Sequence, residues 1–474
     1  MIDGLKPYPS YKDSGVPWLG EVPEHWQVTP LCAIARMKSI TGVEDRKLLS
    51  VYLDRGVIPF SEVDEKRTNV TSEDLSKYQA VDPGDFVLNN QQAWRGSVGV
   101  SQHTGIVSPA YLVLALNPVI DPAYANFLFR ERAMVDQYLI GSRGVGTIQR
   151  NLYWPSLRRI VALLPPLSEQ GTVVRFLGHA DRRIHRYIRA KQKMVKLLDE
   201  EKQTIAHSTV TRGLDSNGPL KASGVQMLGD VPEHWEVVPF KRRVAFQEGP
   251  GIMAADFRDE GVPLLRISCL EGDVASLEGC NFLDPDMVRR RWAHFAVRTG
   301  DYLLSASAST GSVVLASDIV AGSIPYTGIL RLWPISKDVF MPFIRLYMRS
   351  EPFKAQIDAA KSGVAIEHFG PTHLKQMVIS LPPPEEQRAI VSAVEEKTSP
   401  LARAIGRAHR EIELIREYRA RLIADVVTGK LDVREAAARL PLEVTAAGPL
   451  DEIQDLAEDE ESAEDAELEA EETG

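Results

Sequence analysis

Residues 15–31 read GVPWLGEVPEHWQVTPL and residues 224–240 read GVQMLGDVPEHWEVVPF, one passage written twice, 209 positions apart. Such a repeat decides the architecture, because each copy must be able to fold as a comparable unit. Working outward, LLPPLSEQ at 163–170 answers SLPPPEEQ at 380–387, and VTRGLD at 210–215 answers VTGKLD at 427–432, both 217 positions apart. Between these landmarks PGDFVL at 83–88 matches TGDYLL at 299–304, and GSVGV at 96–100 matches GSVVL at 311–315. Each half therefore has a shared opening, a divergent middle on a common skeleton, and a shared end. One scaffold presenting two different surfaces gives that pattern, since recognition usually lives in loops on a fixed frame. A structural duplication whose middles had merely drifted would give it too.

Composition bounds the function. At 474 residues with 44% hydrophobic content, the chain should hold more than one domain with real cores. No apolar run approaches the roughly 20 residues of a membrane span. The opening MIDGLKPYPSYKDSG is polar and does not read as a secretory leader, so a cytoplasmic protein is expected. Cys32, Cys269 and Cys280 form no CxxC pair and are expected to be reduced thiols, with no metal site. The net charge of −10 divides unevenly. Residues 451–474 hold thirteen Asp and Glu and no Lys or Arg, so residues 1–450 carry −10 + 13 = +3. The tail composition predicts a solvated, self-repelling segment. It reads either as a DNA mimic or as an aid to solubility, and the second is preferred.

The middles, roughly 27–160 and 236–378, read as compact α/β units. FVLNN, AYLVLAL, RIVALLP, DYLLSA and GILRLWP are short β-rich runs bounded by turn residues. Residues 122–138 and 342–358 have helical spacing. The shared ends differ in kind. From 400 to 428 a helix is predicted, with Ser399 and Pro400 as N-cap and first residue. Its apolar residues, Leu401, Ile405, Ala408, Ile412, Ile415, Leu422 and Val426, follow the alternating four-and-three spacing of a coiled-coil seam. Subtracting 217 gives Ile184, Ile188, Lys191, Val195, Leu198, Ile205 and Thr209, the same seam with two polar substitutions. One narrow stripe per helix is most simply buried by the other helix. An antiparallel pair of 29-residue helices spans about 43 Å, comparable to the roughly 34–36 Å of one turn of DNA.

This layout resembles the specificity subunits of type I restriction–modification systems, over nearly the whole chain up to about residue 435. The landmarks are the WLG-x-VPEHW-type opener (18–26, and MLGDVPEHW at 227–235), the LPP-x-x-EQ element (Leu164–Gln170, Leu381–Gln387), the Gly84–Asp85 and Gly300–Asp301 pairs, and the helix ends VTRGLD and VTGKLD. Any one is weak; all of them, twice and in order, are specific. The resemblance implies an α/β (α+β) fold with a pseudo-twofold repeat: two tandem target-recognition domains separated by long helices that pair as an antiparallel coiled coil. On that reading the chain divides into an opener at 1–26, a first target-recognition domain at 27–160 and a shared region with a long helix at 161–214. Next come a linker and second opener at 215–235, a second domain at 236–378, a second shared region at 379–435 and an acidic tail at 436–474. It further implies that each domain reads one half of a split, asymmetric sequence in double-stranded DNA. The helices are implied to space the halves and hold two methyltransferase subunits, with restriction/translocase subunits joining them. The partners are implied to use S-adenosylmethionine for adenine methylation, and ATP and Mg2+ for cleavage; none of these cofactors is expected on this chain.

The residues agree with a non-catalytic role. No GxxxxGK[ST] loop is present to cradle phosphates. The nearest string to a methyltransferase tetrapeptide, Ser108-Pro109-Ala110-Tyr111, lacks the second proline and sits in a strand-like run. For DNA contact the polar, Gly-flanked segments that differ between copies are the candidates. In the first half these are Asn89, Asn90, Gln91, Gln92 and Arg95, then Arg143, Thr147, Gln149, Arg150 and Asn151. In the second they are Ser305, Ser307, Ser309 and Thr310, then Lys361, Ser362, Glu367 and His368. Asn and Gln can pair with adenine, Arg with guanine, and Ser or Thr with base or phosphate; ordinary polar loops have the same composition. Glu367 and Pro371 depart from the more basic stretch usual in the family at that place. Arg289, Arg290 and Arg291 read equally as phosphate contacts or a solvated face. Trp26 and Trp235, repeated in an apolar context, are expected in the core with His25 and His234 shaping the opener. Two other readings stand beside the leading one: the recognition part of a fused methyltransferase or type II-like system, and an adaptor whose duplicated domains bind protein.

Overall fold

A computed structural model describes residues 5–16, 19–53, 55–62, 74–145, 149–215, 217–306, 313–361 and 370–441; of Val145, Gln149 and Lys361 it describes the backbone alone. The chain forms two units, Met1–Lys191 with Arg410–Gly474, and Gln192–His409.

In the first unit two of the predicted β-rich runs join two further strands in an antiparallel sheet of order Ala35–Lys38, Tyr111–Leu116, Asp85–Asn89, Val98–Val100. In the second unit the order Val244–Glu248, Ile329–Pro334, Tyr302–Ser305, Val313–Leu315 is the same arrangement. Leu88, Phe86 and Leu114 of the first sheet, and Leu304, Leu330 and Leu332 of the second, are fully or almost fully buried in the main cores. A second pairing closes each unit. Gln27–Pro30 lies antiparallel to Val161–Leu164, and Glu236–Pro239 to Val378–Leu381, so the shared opener and the shared end meet. The units differ in what is added. The first carries the hairpin Leu49–Tyr52 and Gly56–Pro59; the second carries a four-stranded sheet that includes one parallel pair, Val262–Leu265 with Ile324–Pro325.

The helical stretches of the middles are each split in two. Pro122–Phe129 and Arg132–Gly141 are separated at Glu131, whose carboxylate caps the second helix through the Ala133 N–H at 2.6 Å. Met341–Met348 and Glu351–Lys361 are separated at Arg349 and Ser350. A carboxylate that accepts a backbone N–H, as Glu131 does, starts a new helix where an uninterrupted pattern of apolar spacing hides the break; Ser350 instead donates its hydroxyl to the Tyr347 carbonyl.

The long helices begin earlier than expected. They run Leu167–Arg212 and Pro384–Val427, 46 and 44 residues, about 69 and 66 Å. The LPP-x-x-EQ element is their first turn, where proline is preorganised and its missing N–H costs nothing. Ser399 and Pro400 are not a helix start: Pro400 lies inside the second helix. Its cost, about 3 kcal/mol in a helix interior, is offset by packing on both sides, from buried Ile390, Val391 and Val394 before it to half-buried Leu401 and Ile405 after it.

Within the first unit the helices run antiparallel. Lys191 Nζ meets Glu411 at 2.6 Å, the Tyr187 hydroxyl donates to the same carboxylate at 3.0 Å, and Arg419 Nε donates to Asp181 at 2.5 Å. In the second unit Val210 shares a core with Ile390, Val391 and Val394, which is again an antiparallel sense. Of the seam residues, Ile184, Ile412, Leu422 and Val426 are buried, and Ile188, Val195, Leu198, Ile205, Leu401, Ile405 and Ile415 half-buried. Off the seam, Leu197 and Leu414 are 55% and 64% exposed.

Candidate nucleic-acid interface and its scaffold

The repeated motifs meet in one cluster per unit. Trp26 is fully buried and donates its indole N–H to Glu169 Oε1 at 3.0 Å, while His25 Nε2 sits 2.7 Å from Oε2. In the second unit Trp235 donates to Glu386 Oε1 at 3.1 Å and His234 Nε2 lies 2.7 Å from Oε2. The His-Trp of each opener thus grips the glutamate of LPP-x-x-EQ by both oxygens. That glutamate stands in the first turn of a long helix, where the exposed N–H groups favour negative charge. The adjacent glutamine does a second job. Gln170 donates to the Val119 and Pro165 carbonyls and accepts from Asp121 N–H; Gln387 donates to Asp338 and Pro382 and accepts from Phe340 N–H. Each glutamine pins the first helix of its middle domain to the long helix, and both are fully buried. The sequence marked these motifs as shared; the pairing of His-Trp with Glu was not visible until the fold brought residues 143–152 positions apart together.

The helix ends complete the cluster. Gly213 and Gly429 both adopt φ of +77°, and each backs onto the tryptophan of its unit, with Trp235 and Trp26 beside the place a Cβ would occupy. The Gly-Asp pairs brace the sheet. Asp85 accepts the Asp82 N–H and an ammonium hydrogen bond from Lys38; Asp301 accepts the Arg298 N–H and pairs with Arg331 at 2.9 Å.

On this scaffold the first unit brings its two candidate segments side by side. Strand Asp85–Asn89 ends in an Asx turn, Asn89 Oδ1 accepting the Gln91 N–H at 3.1 Å. A short 3-10 turn at Ala93–Arg95 comes next, and Gly96 at φ of +109° returns the chain to Val98–Val100. The hairpin Arg143–Val145 with Gln149–Asn151 lies against this turn, and Leu152 N–H donates to Asn90 O at 2.8 Å. Between them stands Trp94, which sequence reading passed over. Its indole N–H donates to Gln91 O, Arg95 lies 4.8 Å from its ring and Arg150 5.9 Å. Gln91, Arg95 and Arg143 are exposed; Asn89, Asn90, Gln92, Arg150 and Asn151 are half-buried. An aromatic ring flanked by two guanidinium groups, in a turn that also carries Asn and Gln residues, combines the residue types for stacking, cation and bidentate hydrogen bonding. A tryptophan next to the polar run was the signal that could have found it. Thr147 lies outside the described residues, as does the Gln149 side chain.

The second unit is less complete. Ser305 is 2% exposed and ends strand Tyr302–Ser305, paired with Ile329 of the neighbouring strand, so it is buried in the sheet and is not a surface loop residue. Ser307, Ser309, Thr310, Ser362, Glu367 and His368, and the Lys361 side chain, lie outside the described residues. Arg289 pairs with Asp286, and Arg290 Nε donates to the Asp286 carbonyl, so two of the three consecutive arginines have local partners. Arg266 instead lies 4.9 Å from the Tyr326 ring and 5.9 Å from Phe257, and donates to Asn281 Oδ1 at 2.9 Å. Among the described residues there is no group of three or more His, Cys, Asp or Glu placed to hold a metal ion, and no helix long and apolar enough to cross a membrane.

Comparison with known proteins places this geometry. The family model described as "Type I restriction modification DNA specificity domain" matches residues 293–402. The "Type I restriction enzyme MjaVIII specificity subunit" of Methanocaldococcus jannaschii is 23% identical over 421 residues, covering 87% of this chain and 94% of the relative. The "Putative type I restriction enzyme MjaX specificity subunit" of the same organism is 23% identical over 442 residues, covering 88% and 96%. A chain from a solved structure described as the basis of complex assembly and conformational transition of the type I R-M system superposes with a TM-score of 0.63 at 17% identity, covering 86% of this chain and 98% of that one. That last match speaks to the fold alone. The doubled motifs join into one cluster per unit, residues 293–402 match the type I DNA specificity domain, and the chain is similar to two type I specificity subunits over almost their whole length.

Proposed function

We propose that this chain supplies DNA sequence specificity to a type I restriction–modification complex and carries no catalytic centre of its own. Each unit reads one half of a split, asymmetric target in double-stranded DNA. Two methyltransferase subunits, using S-adenosylmethionine, and restriction subunits, using ATP and Mg2+, supply the chemistry. The observation that carries this reading is the contrast within each unit. The same His-Trp–Glu–Gln residue types hold a four-stranded sheet of the same order, while the sequences that run on from the third strand in sheet order, 89–96 in the first unit and 306–312 in the second, differ. A fixed frame with exchangeable loops is what reading two unrelated half-sites requires.

The mechanism on this chain is positional. Arg95 and Arg150 bring fixed positive charge to the Trp94 face, and the exposed Gln91 and half-buried Gln92 of the same turn are the residues proposed to discriminate base edges. The test exchanges residues 27–160 for the matching domain of a relative, reconstitutes the complex with its methyltransferase, and maps modified bases by sequencing. One half of the modified motif should change and the other persist. Change in both halves, or in neither, would overturn the assignment of one unit per half-site. Turnover of S-adenosylmethionine by the isolated chain would overturn the non-catalytic assignment.

A further inference from the structure

The two long helices are unequally charged. Residues 175–191 hold six Lys and Arg (Arg175, Arg182, Arg183, Arg186, Arg189, Lys191) against Asp181, a net +5. The corresponding 392–408 holds Lys397, Arg403 and Arg407 against Glu395 and Glu396, a net +1. The basic stretch also forms one wall of a cleft of about 420 Å³, lined by His179, Arg182, Arg183 and Arg186 on the helix and by Leu440 and Pro441 opposite. The three arginines are exposed. The seam contacts to the second helix run instead through Asp181, Tyr187 and Lys191.

The other wall is the end of the described chain, and its direction is informative. Arg175 Nη2 donates to the Ala437 carbonyl at 2.9 Å, and Leu440 packs on the core that includes Val173, Phe176, Leu177 and Ala180. From Ala437 beside Arg175 to Pro441 beside the later arginines, the chain advances along the helix toward its most basic part. Residues 442–474, past that point, hold fourteen Asp and Glu and no Lys, Arg or His. The first acid, Glu443, stands two residues past Pro441, and the dense run starts at Asp451. Ten residues span at most about 35 Å, so the run lies within reach of the whole basic stretch. Tethering so close makes the local carboxylate concentration of millimolar order.

We propose that the acidic segment 443–474 docks in this cleft, its carboxylates neutralising Arg183 and Arg186 in cis. Charge complementarity and the exit of the chain at the cleft both select it over an outside ligand. The docking stands without the DNA reading. Its consequence, that the segment competes with duplex phosphates for the same arginines and lowers affinity for non-specific DNA, rests on that reading.

The test uses the full chain and a variant in which every Asp and Glu from 451 to 472 is replaced by Asn or Gln. Arginines are modified with a glyoxal reagent and quantified residue by residue by mass spectrometry. At low salt Arg183 and Arg186 should react about threefold or more faster in the neutralised variant. The gap should close near 1 M salt, where the screening length is about 3 Å; Arg36, exposed elsewhere in the first unit, should react equally in both. Equal rates at Arg183 and Arg186 in the two chains at low salt would overturn the proposal. So would protection by added duplex DNA in both chains with no protection by the segment, which would make the DNA backbone the occupant. If the labelling gap appears while non-specific DNA affinity is the same in both chains, the docking stands and its consequence for DNA fails.

Discussion

The glutamate clusters of the two units use the same residue types at different depths. Glu169 is 6% exposed at its side chain and takes three donors: Trp26, His25 and the Tyr8 hydroxyl at 2.6 Å. Glu386 is 23% exposed and takes two, Trp235 and His234. The extra donor has a topological origin. In the first unit the end of the second long helix and the start of the chain are joined only by contacts. Asp432 N–H donates to the Lys6 carbonyl, the Tyr11 hydroxyl to the Gly429 and Lys430 carbonyls, and Arg434 lies over the Tyr8 ring. In the second unit the corresponding stretch, from Gly213 to Ala222, is continuous chain. Where a peptide link is missing, buried aromatic residues and hydrogen bonds take its place. Burial and the bond to Glu169 push the Tyr8 phenol far above its usual range, so it serves as a permanent donor.

The strongest way to break this comparison is to remove each carboxylate. Glu169→Ala leaves the Trp26 N–H and the Tyr8 hydroxyl buried without their acceptor, at about 1–3 kcal/mol for each orphaned donor, so a loss on the order of 2–6 kcal/mol. Glu386→Ala strips a shallower site and should cost about 1–2 kcal/mol. Urea midpoints of the two variants would measure the difference. Equal losses would mean that the third donor adds nothing to the first cluster.

A smaller effect separates the helix ends. Gly213 and Gly429 share a φ of +77°, which costs a side chain about 1–2 kcal/mol. They differ in room. A Cβ at Gly429 would fall 2.4 Å from Pro23 Cδ; at Gly213 the nearest atoms are Glu386 Oε1 at 3.1 Å and Trp235 Cζ2 at 3.3 Å. Gly429→Ala should therefore destabilise by more than Gly213→Ala, by about 1 kcal/mol or more in thermal or urea unfolding, because a proline ring cannot swing away as a carboxylate can. Reversal of that order would show that the turn at 429 shifts freely.

The same glycines show where sequence reading reached and where it stopped. An offset of 217 aligns Val210 with Val427 but sets Arg212 opposite Gly429; the structure makes Gly213 its counterpart, one position later. The repeat, several sheet strands and the coiled-coil seam follow from patterns along the chain, because strand and helix periods are local; the antiparallel sense was implied by the family resemblance alone. The helix starts at Leu167 and Pro384 were missed because Ser399 and Pro400 have the form of a cap and first residue, although Ile390, Val391 and Val394 already lie on a buried helix face. Polar residues in the Asn89–Arg95 and Arg143–Asn151 segments could be picked out by type, but their convergence on Trp94 depends on the Leu152–Asn90 hydrogen bond, a contact between positions 62 apart. Ser305 failed as a surface residue for the complementary reason. A serine at the end of a β-rich run looks like a loop residue until the neighbouring strand, Ile329–Pro334, is seen to pair with it.

The subtlest comparison concerns the second helix of each middle domain. Glu131 precedes Arg132–Gly141, and Ser350 holds the same place before Glu351–Lys361. Ser350 is buried and turns its hydroxyl to the Tyr347 carbonyl at 2.6 Å. Glu131 is 7% exposed, and burial pushes its carboxyl above the ordinary 4.5, against the opposing pull of the Ala133 and Arg132 N–H groups. Between the unfolded and the raised folded value the folded chain holds more of the proton, so stability falls as pH rises through that window. The penalty of burying the charge is fully present above the folded value and absent below 4.5. Glu131→Ser, which copies the second unit, removes the titrating group and the penalty together. The difference in urea midpoint between variant and parent should accordingly shift in the variant's favour on going from pH 4 to pH 7, by an amount smaller than the effects above. A difference that stays constant over that range would mean that the Ala133 and Arg132 N–H groups fully compensate the burial of Glu131, and that its carboxyl titrates as it does in the unfolded chain.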